Sequence, residues 1–187
     1  MAINQVTPNP LDRDDSTAIT GKTPSQTIGD DLDSFSGTDL GTSSIPSEGS
    51  KFMIRSVSCG RVITLLKGKV MLAYPDDSGG SVHWECVKSR GWYGFQNCVT
   101  PKFLGYDEDR RLCCLATEQK GWENFHIGPR PEGGSVLLMA QTGNIWTDLW
   151  YGRELWPVGV KWERGVESLA ITGTENPCIG WEFIEVQ

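Results

Sequence analysis

Residues 93–127 read YGFQNCVTPKFLGYDEDRRLCCLATEQKGWENFHI, and this stretch decides the fold. Short apolar runs alternate in it with turns that contain Gly, Pro and Asp. One of these runs ends in Leu-Ala, and a Trp-Glu pair follows it and leads into a final strand. Apolar runs of this length between such turns are typical of short β-strands, so the stretch predicts a unit of about four strands.

Parts of this unit recur along the chain. Phe52 and Ala73 are 21 positions apart, as are Phe95 and Ala116, and both segments end in Leu-Ala. A third Leu-Ala lies at Leu169-Ala170, so the copies are 43 and 54 residues apart. Each is followed by a Trp-Glu pair: Trp84-Glu85, Trp122-Glu123 and Trp181-Glu182.

Recurrence at this interval is typical of repeat architectures whose units bury their apolar faces against one another. We therefore predict three repeats, about 51–90, 91–132 and 133–187. We expect the three tryptophans of the Trp-Glu pairs to pack in the core and the three glutamates to face the surface. The alternative is that both dipeptides recur by chance in a Trp-rich chain.

The second repeat resembles the fascin-type repeat of the β-trefoil superfamily. The matching motifs are Lys102-Phe103-Leu104-Gly105, the acidic turn 107–109, Leu112-Cys113-Cys114-Leu115-Ala116 and Gly121-Trp122-Glu123-Asn124-Phe125-His126-Ile127. Over residues 51–187 the resemblance implies an all-β protein, a β-trefoil with a six-stranded barrel, three capping hairpins and pseudo-threefold symmetry.

The same resemblance implies a binding module, because the superfamily contains actin bundlers, lectins, cytokines and protease inhibitors. Small fungal proteins of uncertain role share the pattern. Ricin-type lectins, a sister family, carry Gln-x-Trp near the end of each repeat. This chain contains no Gln-x-Trp.

Residues 1–50 differ in composition from the rest of the chain. They carry eight acidic and two basic residues, whereas the whole chain has a net charge of −7, so residues 51–187 are nearly neutral. The segment has no Trp or Tyr and is rich in Ser, Thr, Pro and Asp. Such a composition buries too little apolar surface to offset chain entropy, and it predicts a disordered acidic tail.

Other features narrow the function class. The near-neutral body has no basic stripe, so we expect no nucleic-acid partner. No secretory signal and no stretch of membrane-spanning length are visible, which predicts a cytoplasmic protein without membrane contact, and a monomer is favoured. The six cysteines are then expected to be free thiols. They do not have the spacing of a zinc site, and no cofactor is expected.

The third repeat carries eleven more residues than the second, within GNIWTDLWYGRELWPVGVKWERG at 143–165. Strand alternation fits this segment poorly. Large aromatics interleaved with charges in an extra loop favour a binding surface. The predicted ligand-binding residues are Trp146, Asp148, Trp150, Tyr151, Arg153, Glu154 and Trp156. The alternative is that these tryptophans are core residues that close the open end of the barrel. This alternative applies most to Trp156 and Trp162.

Three functional hypotheses follow. The first is a non-catalytic module that holds a glycan or a protein segment through the Trp-rich insertion. The second is a fascin-like actin-binding protein. The third is a small cyclase or isomerase with an apolar, Trp-lined pocket, a class that leaves no motif. No catalytic residue is assigned, because the usual nucleophile, phosphate-loop and dinucleotide motifs are missing from the sequence.

Overall fold

The computed structural model describes residues 45–76, 79–140, 154–173 and 179–187, and within them the chain forms twelve β-strands and one short 3-10 helix at Gly121–Glu123. The strands are β1 (Lys51–Ser56), β2 (Val62–Leu66), β3 (Lys69–Ala73), β4 (Trp84–Ser89), β5 (Trp92–Asn97), β6 (Phe103–Tyr106), β7 (Leu112–Ala116), β8 (Phe125–Pro129), β9 (Ser135–Ala140), β10 (Leu155–Glu163), β11 (Val166–Ile171) and β12 (Trp181–Val186). The predicted all-β class is confirmed. No described helix is both long and apolar enough to cross a membrane.

Six of the strands form a closed ring of antiparallel pairs. β1 pairs with β4 and β12, β4 with β5, β5 with β8, β8 with β9, and β9 with β12. The β1–β12 pair has the register Lys51↔Val186 through Ser56↔Trp181. Because each ring strand has neighbours on both sides, the ring leaves no long unpaired edge.

The other six strands form three hairpins, β2–β3, β6–β7 and β10–β11, attached to the ring through β1, β5 and β9. Lys67-Gly68 and Arg164-Gly165 are two-residue turns in which both residues have positive φ. This backbone matches the right-handed twist of the strands that it joins.

The core fills the inside of this arrangement. Phe95 stacks on Phe183 with centroids 5.7 Å apart and meets Phe125 edge-on at 5.4 Å. Phe52 contacts Phe183 edge-on. All four rings are fully buried, and each contributes about 2–3 kcal/mol relative to an exposed side chain.

Two of the three Trp-Glu tryptophans lie in this core. Trp84 and Trp181 are fully buried, and their indole N–H groups donate to the carbonyl oxygens of Ile63 (2.9 Å) and Val158 (3.3 Å). The prediction is wrong for Trp122, which is 40% exposed in the 3-10 helix and stacks on Tyr106. Phe125 is the buried residue at the start of β8.

The surface position expected for Glu123 is also wrong. Its side chain is buried, and its carboxylate accepts the Lys120 backbone N–H at 3.1 Å. Gly105 makes room for it, because a Cβ there would lie 2.9 Å from the Trp122 carbonyl oxygen and 3.0 Å from Glu123 Oε1. Burial raises the pKa of this carboxyl above its usual value.

Backbone hydrogen bonds to β4 begin before Lys51. The Gly49 N–H donates to the Cys86 carbonyl oxygen at 2.8 Å, and the Cys86 N–H donates back to Ser50 at 2.9 Å. These bonds join residues 49–50 to β4, inside the segment predicted as tail. The rest of that predicted tail, residues 1–44, lies outside the described residues.

The end of the predicted loop insertion is strand instead. Leu155–Glu163 forms β10, the longest strand described, because Val158 and Val160 face the core across Ile171 and Leu169. Trp162 is 67% exposed and is not a core plug. Trp156 is half-buried and packs against the core cluster.

Candidate functional site

Two of the seven predicted ligand-binding residues, Glu154 and Trp156, can be placed. Both lie where β10 begins. The other five lie in the 141–153 segment, outside the described residues. They are Trp146, Asp148, Trp150, Tyr151 and Arg153.

The indole ring of Trp156 contacts the carboxylate of Glu154 at its edge and the guanidinium of Arg110 on its face. Its indole Nε1–H donates to Glu154 Oε2 at 2.9 Å. The guanidinium carbon of Arg110 lies 4.5 Å from the ring centroid, a cation–π contact. One indole therefore contacts both a carboxylate and a guanidinium, and we call Arg110, Glu154 and Trp156 the indole cluster.

Arg110 was not predicted as a site residue. It lies in the β6–β7 turn with a φ of 62°, and its N–H donates to the Asp107 carbonyl oxygen at 2.9 Å. Its own carbonyl oxygen accepts the Ile171 N–H at 2.8 Å, which ties the turn to β11. The sequence signal was the Asp-Glu-Asp-Arg-Arg run at 107–111, where a turn brings two arginines to one hairpin end.

A second feature is a groove where the three hairpins meet, with a volume of about 1020 Å³. We call it the hairpin groove. Its walls come from the β2–β3, β6–β7 and β10–β11 hairpins. Charged side chains from all three line it: Lys69, Asp107, Arg111, Glu163, Arg164 and Glu167.

Ion pairs cross the hairpin groove. Arg111 donates to Glu163 at 2.7 Å, and Lys161 lies 2.6 Å from the other oxygen of Glu163. Hydrogen bonds from Lys161 and Arg111 lower the pKa of Glu163. Arg61 holds Glu167 through two hydrogen bonds of 2.8 and 2.9 Å. Glu163 and Glu167 are therefore each paired with an arginine, and Glu163 with Lys161 as well.

Five of the six cysteines lie within the described residues. The five within the described residues are free thiols. Cys114 is buried and Cys113 is half-buried, as expected for neighbours on one strand, and burial raises the pKa of each thiol to about 11. Among the described residues, no group of three or more His, Cys, Asp or Glu side chains could hold a metal ion.

Comparisons with known proteins yield structural likeness only. No protein-family model matches the chain, and no curated protein matches its sequence. The solved structure of BEL, a β-trefoil in an apo crystal form, aligns with a TM-score of 0.54 and 14% identity, over 79% of this chain and 100% of that one.

Two glycosidases also align. A GH43 β-1,3-galactosidase gives a TM-score of 0.53 and 12% identity, over 78% of this chain and 28% of that one. A Clostridium perfringens endo-β-galactosidase that releases GlcNAcα1-4Gal gives 0.50 and 13%, over 74% and 33%. The chain spans a third or less of the length of these enzymes. At such identities the likeness concerns the fold alone, and that fold is β-trefoil-like.

Proposed function

We propose that the chain is a non-catalytic carbohydrate-binding module. Its fold is then a β-trefoil of three four-stranded units, about 51–90, 91–132 and 133–187. The closed six-stranded ring and its three attached hairpins support this division, because each interval contains two ring strands and one hairpin.

The indole cluster is the observation that carries the proposal. Sugar hydroxyls both donate and accept hydrogen bonds, so a site needs acceptors and donors fixed side by side. Glu154 supplies carboxylate oxygens and Arg110 supplies a rigid fork of N–H donors, and Trp156 holds both. Trp146, Asp148, Trp150, Tyr151 and Arg153 complete the proposed site.

The neighbours of the fold guide the choice of glycans to test. Two of the solved structures that share it are galactosidases, and this chain matches a third or less of each. Galactose-terminated oligosaccharides are therefore the first ligands to test.

A glycan array probed with the full chain tests the proposal, followed by titration of the best galactoside. Glu154→Gln removes the charge of the acceptor, and we expect affinity to fall about tenfold, the usual cost of weakening a hydrogen bond to a charged group. The control is Glu132→Gln, an exposed glutamate whose ion pair with Arg130 lies in the β8–β9 turn.

The absence of binding to any glycan on the array would overturn the proposal. An unchanged galactoside affinity of the Glu154→Gln protein would also overturn it. Co-sedimentation with filamentous actin, without glycan binding, would instead favour the fascin-like alternative. Turnover of a small metabolite would favour the cyclase or isomerase.

A further inference from the structure

The carboxylates that line the hairpin groove already have hydrogen-bond or ion-pair partners within the protein. Both oxygens of Glu163 accept hydrogen bonds or ion pairs, from Arg111 and Lys161. Both oxygens of Glu167 accept from Arg61. Asp107 Oδ1 accepts the Arg111 backbone N–H at 2.9 Å. Two of the three acids that line the groove, Glu163 and Glu167, are therefore paired with cations, and the third, Asp107, accepts a backbone N–H.

The cations are not compensated in the same way. Lys69 and Arg164 both line the groove and are exposed, and neither has an acidic partner within 4 Å among the described residues. Lys69 opens β3 and Arg164 forms the tip of the β10–β11 turn. Two hairpins thus present unmatched positive charge to one groove in a protein of net charge −7.

The rest of the lining is apolar. Leu112 and Leu169 are buried beneath the groove, and Val166 and Met71 expose their side chains beside the cations. An apolar surface next to a cation fits a ligand that has C–H faces and an anionic substituent. Acidic sugars combine both features on a rigid ring.

We propose that the hairpin groove binds the anionic substituent of a carboxylated or sulfated sugar, with Lys69 and Arg164 as its counter-charges. This inference rests on the proposed function and adds a charge requirement to it. The attraction is between exposed groups, so it falls as salt screens the charges. Each cation is worth about fivefold in affinity at contact distance in water.

Titration of the full chain with lactose, sialylated lactose and sulfated lactose tests the inference. We expect both acidic ligands to bind at least about tenfold more tightly than lactose at low salt, with the preference shrinking as salt is added. The variant Lys69→Gln/Arg164→Asn should abolish the preference and leave lactose affinity unchanged. Asn tolerates the left-handed backbone at 164, where φ is 51°.

The matched control is Arg90→Asn, at a turn residue with a φ of 50° that is not among the residues lining the groove. It should keep the preference. Equal binding of acidic and neutral ligands, or a preference that survives in the double variant, would overturn the inference alone. Absence of binding to all three ligands would instead sink the proposed function. A preference for only one acidic ligand would identify carboxylate or sulfate as the group selected.

Discussion

Single polar atoms in the core bind the hairpins to the ring. The indole N–H groups of Trp84 and Trp181 reach from ring strands to backbone carbonyl oxygens of β2 and β10. A buried carbonyl without a donor costs about 1–3 kcal/mol, so each indole stabilises the fold by more than its apolar area. Phe125, at the start of β8, has no such donor.

We therefore expect Trp84→Phe to destabilise the fold, even though a phenylalanine, Phe125, lies in the core at the start of β8. The Ile63 carbonyl would lose its donor, and we expect the free energy of unfolding to fall by about 1–3 kcal/mol, measured by urea denaturation. The control is Trp122→Phe, a half-exposed ring, with a loss below about 1 kcal/mol. Equal losses in the two variants would contradict this account.

Glu123 makes a prediction about pH. Burial raises the pKa of Glu123 in the folded state above its unfolded value. The protonated form therefore contributes stability that is fully present below the unfolded pKa. This contribution is lost as the pH rises through the folded pKa. Glu123→Gln keeps an acceptor for the Lys120 N–H and removes the charge. We expect this variant to be more stable than the parent at neutral pH, with the difference vanishing in acid.

Urea unfolding over a pH series measures this difference, with the exposed Glu118→Gln as control. A Glu123→Gln protein that is less stable at neutral pH would show that the charge itself stabilises the fold.

The spacing between each Leu-Ala and the following Trp-Glu pair already distinguished Trp122 from the other two tryptophans. Trp84 and Trp181 each follow a Leu-Ala alanine by 11 residues, whereas Trp122 follows Ala116 by only 6. The chain at Trp122 has not yet reached the ring, and it turns once as a 3-10 helix before Phe125 enters the core. The Trp-Glu dipeptide alone could not show whether Trp122 or Phe125 is the buried aromatic residue.

At the scale of elements, the tight hairpin turns share one chemistry. Lys67-Gly68, Arg90-Gly91 and Arg164-Gly165 all combine a basic residue and a glycine at positive φ. Glycine takes this backbone without strain, whereas a Cβ there costs about 1–2 kcal/mol. The turns therefore fix strand register and also place cations at the hairpin ends.

Gly165→Ala should lower the free energy of unfolding by about 1–2 kcal/mol, since φ at this residue is 78°. Gly128→Ala is the matched control, because a Cβ at Gly128 would meet nothing within 4 Å and its φ is not in the left-handed range. It should be neutral or slightly stabilising. Thermal and urea unfolding would measure both, and a neutral Gly165→Ala would show that the turn relaxes freely.

The strands were largely predictable and β10 was not. The segments 52–73 and 95–116 each end at the last residue of a hairpin strand, because alternation and turn residues act locally. β10 contains Pro157 and Gly159, which weaken a strand pattern. Its strand is imposed by pairing with β9 and β11, which no local pattern encodes.

At the scale of the whole molecule, the packing of the hairpins brings distant residues into contact. Arg110 and Trp156 are 46 positions apart in sequence and meet because β6–β7 packs beside β10–β11. The sequence pattern selected Glu154 and Trp156 as candidate ligand-binding residues from their setting among aromatics, and that role stays a prediction. It could not predict Arg110, because its role depends on which hairpins become neighbours.

The central claim is that the indole cluster binds a galactose-containing glycan, and calorimetric titration of two arginine variants with one galactoside tests it most directly. Arg110→Asn and Arg90→Asn both replace a left-handed turn arginine by a residue that accepts this backbone, but only Arg110 contacts Trp156. We predict that Arg110→Asn weakens binding about tenfold and Arg90→Asn leaves it unchanged. Equal affinity in both variants and the parent would contradict the account.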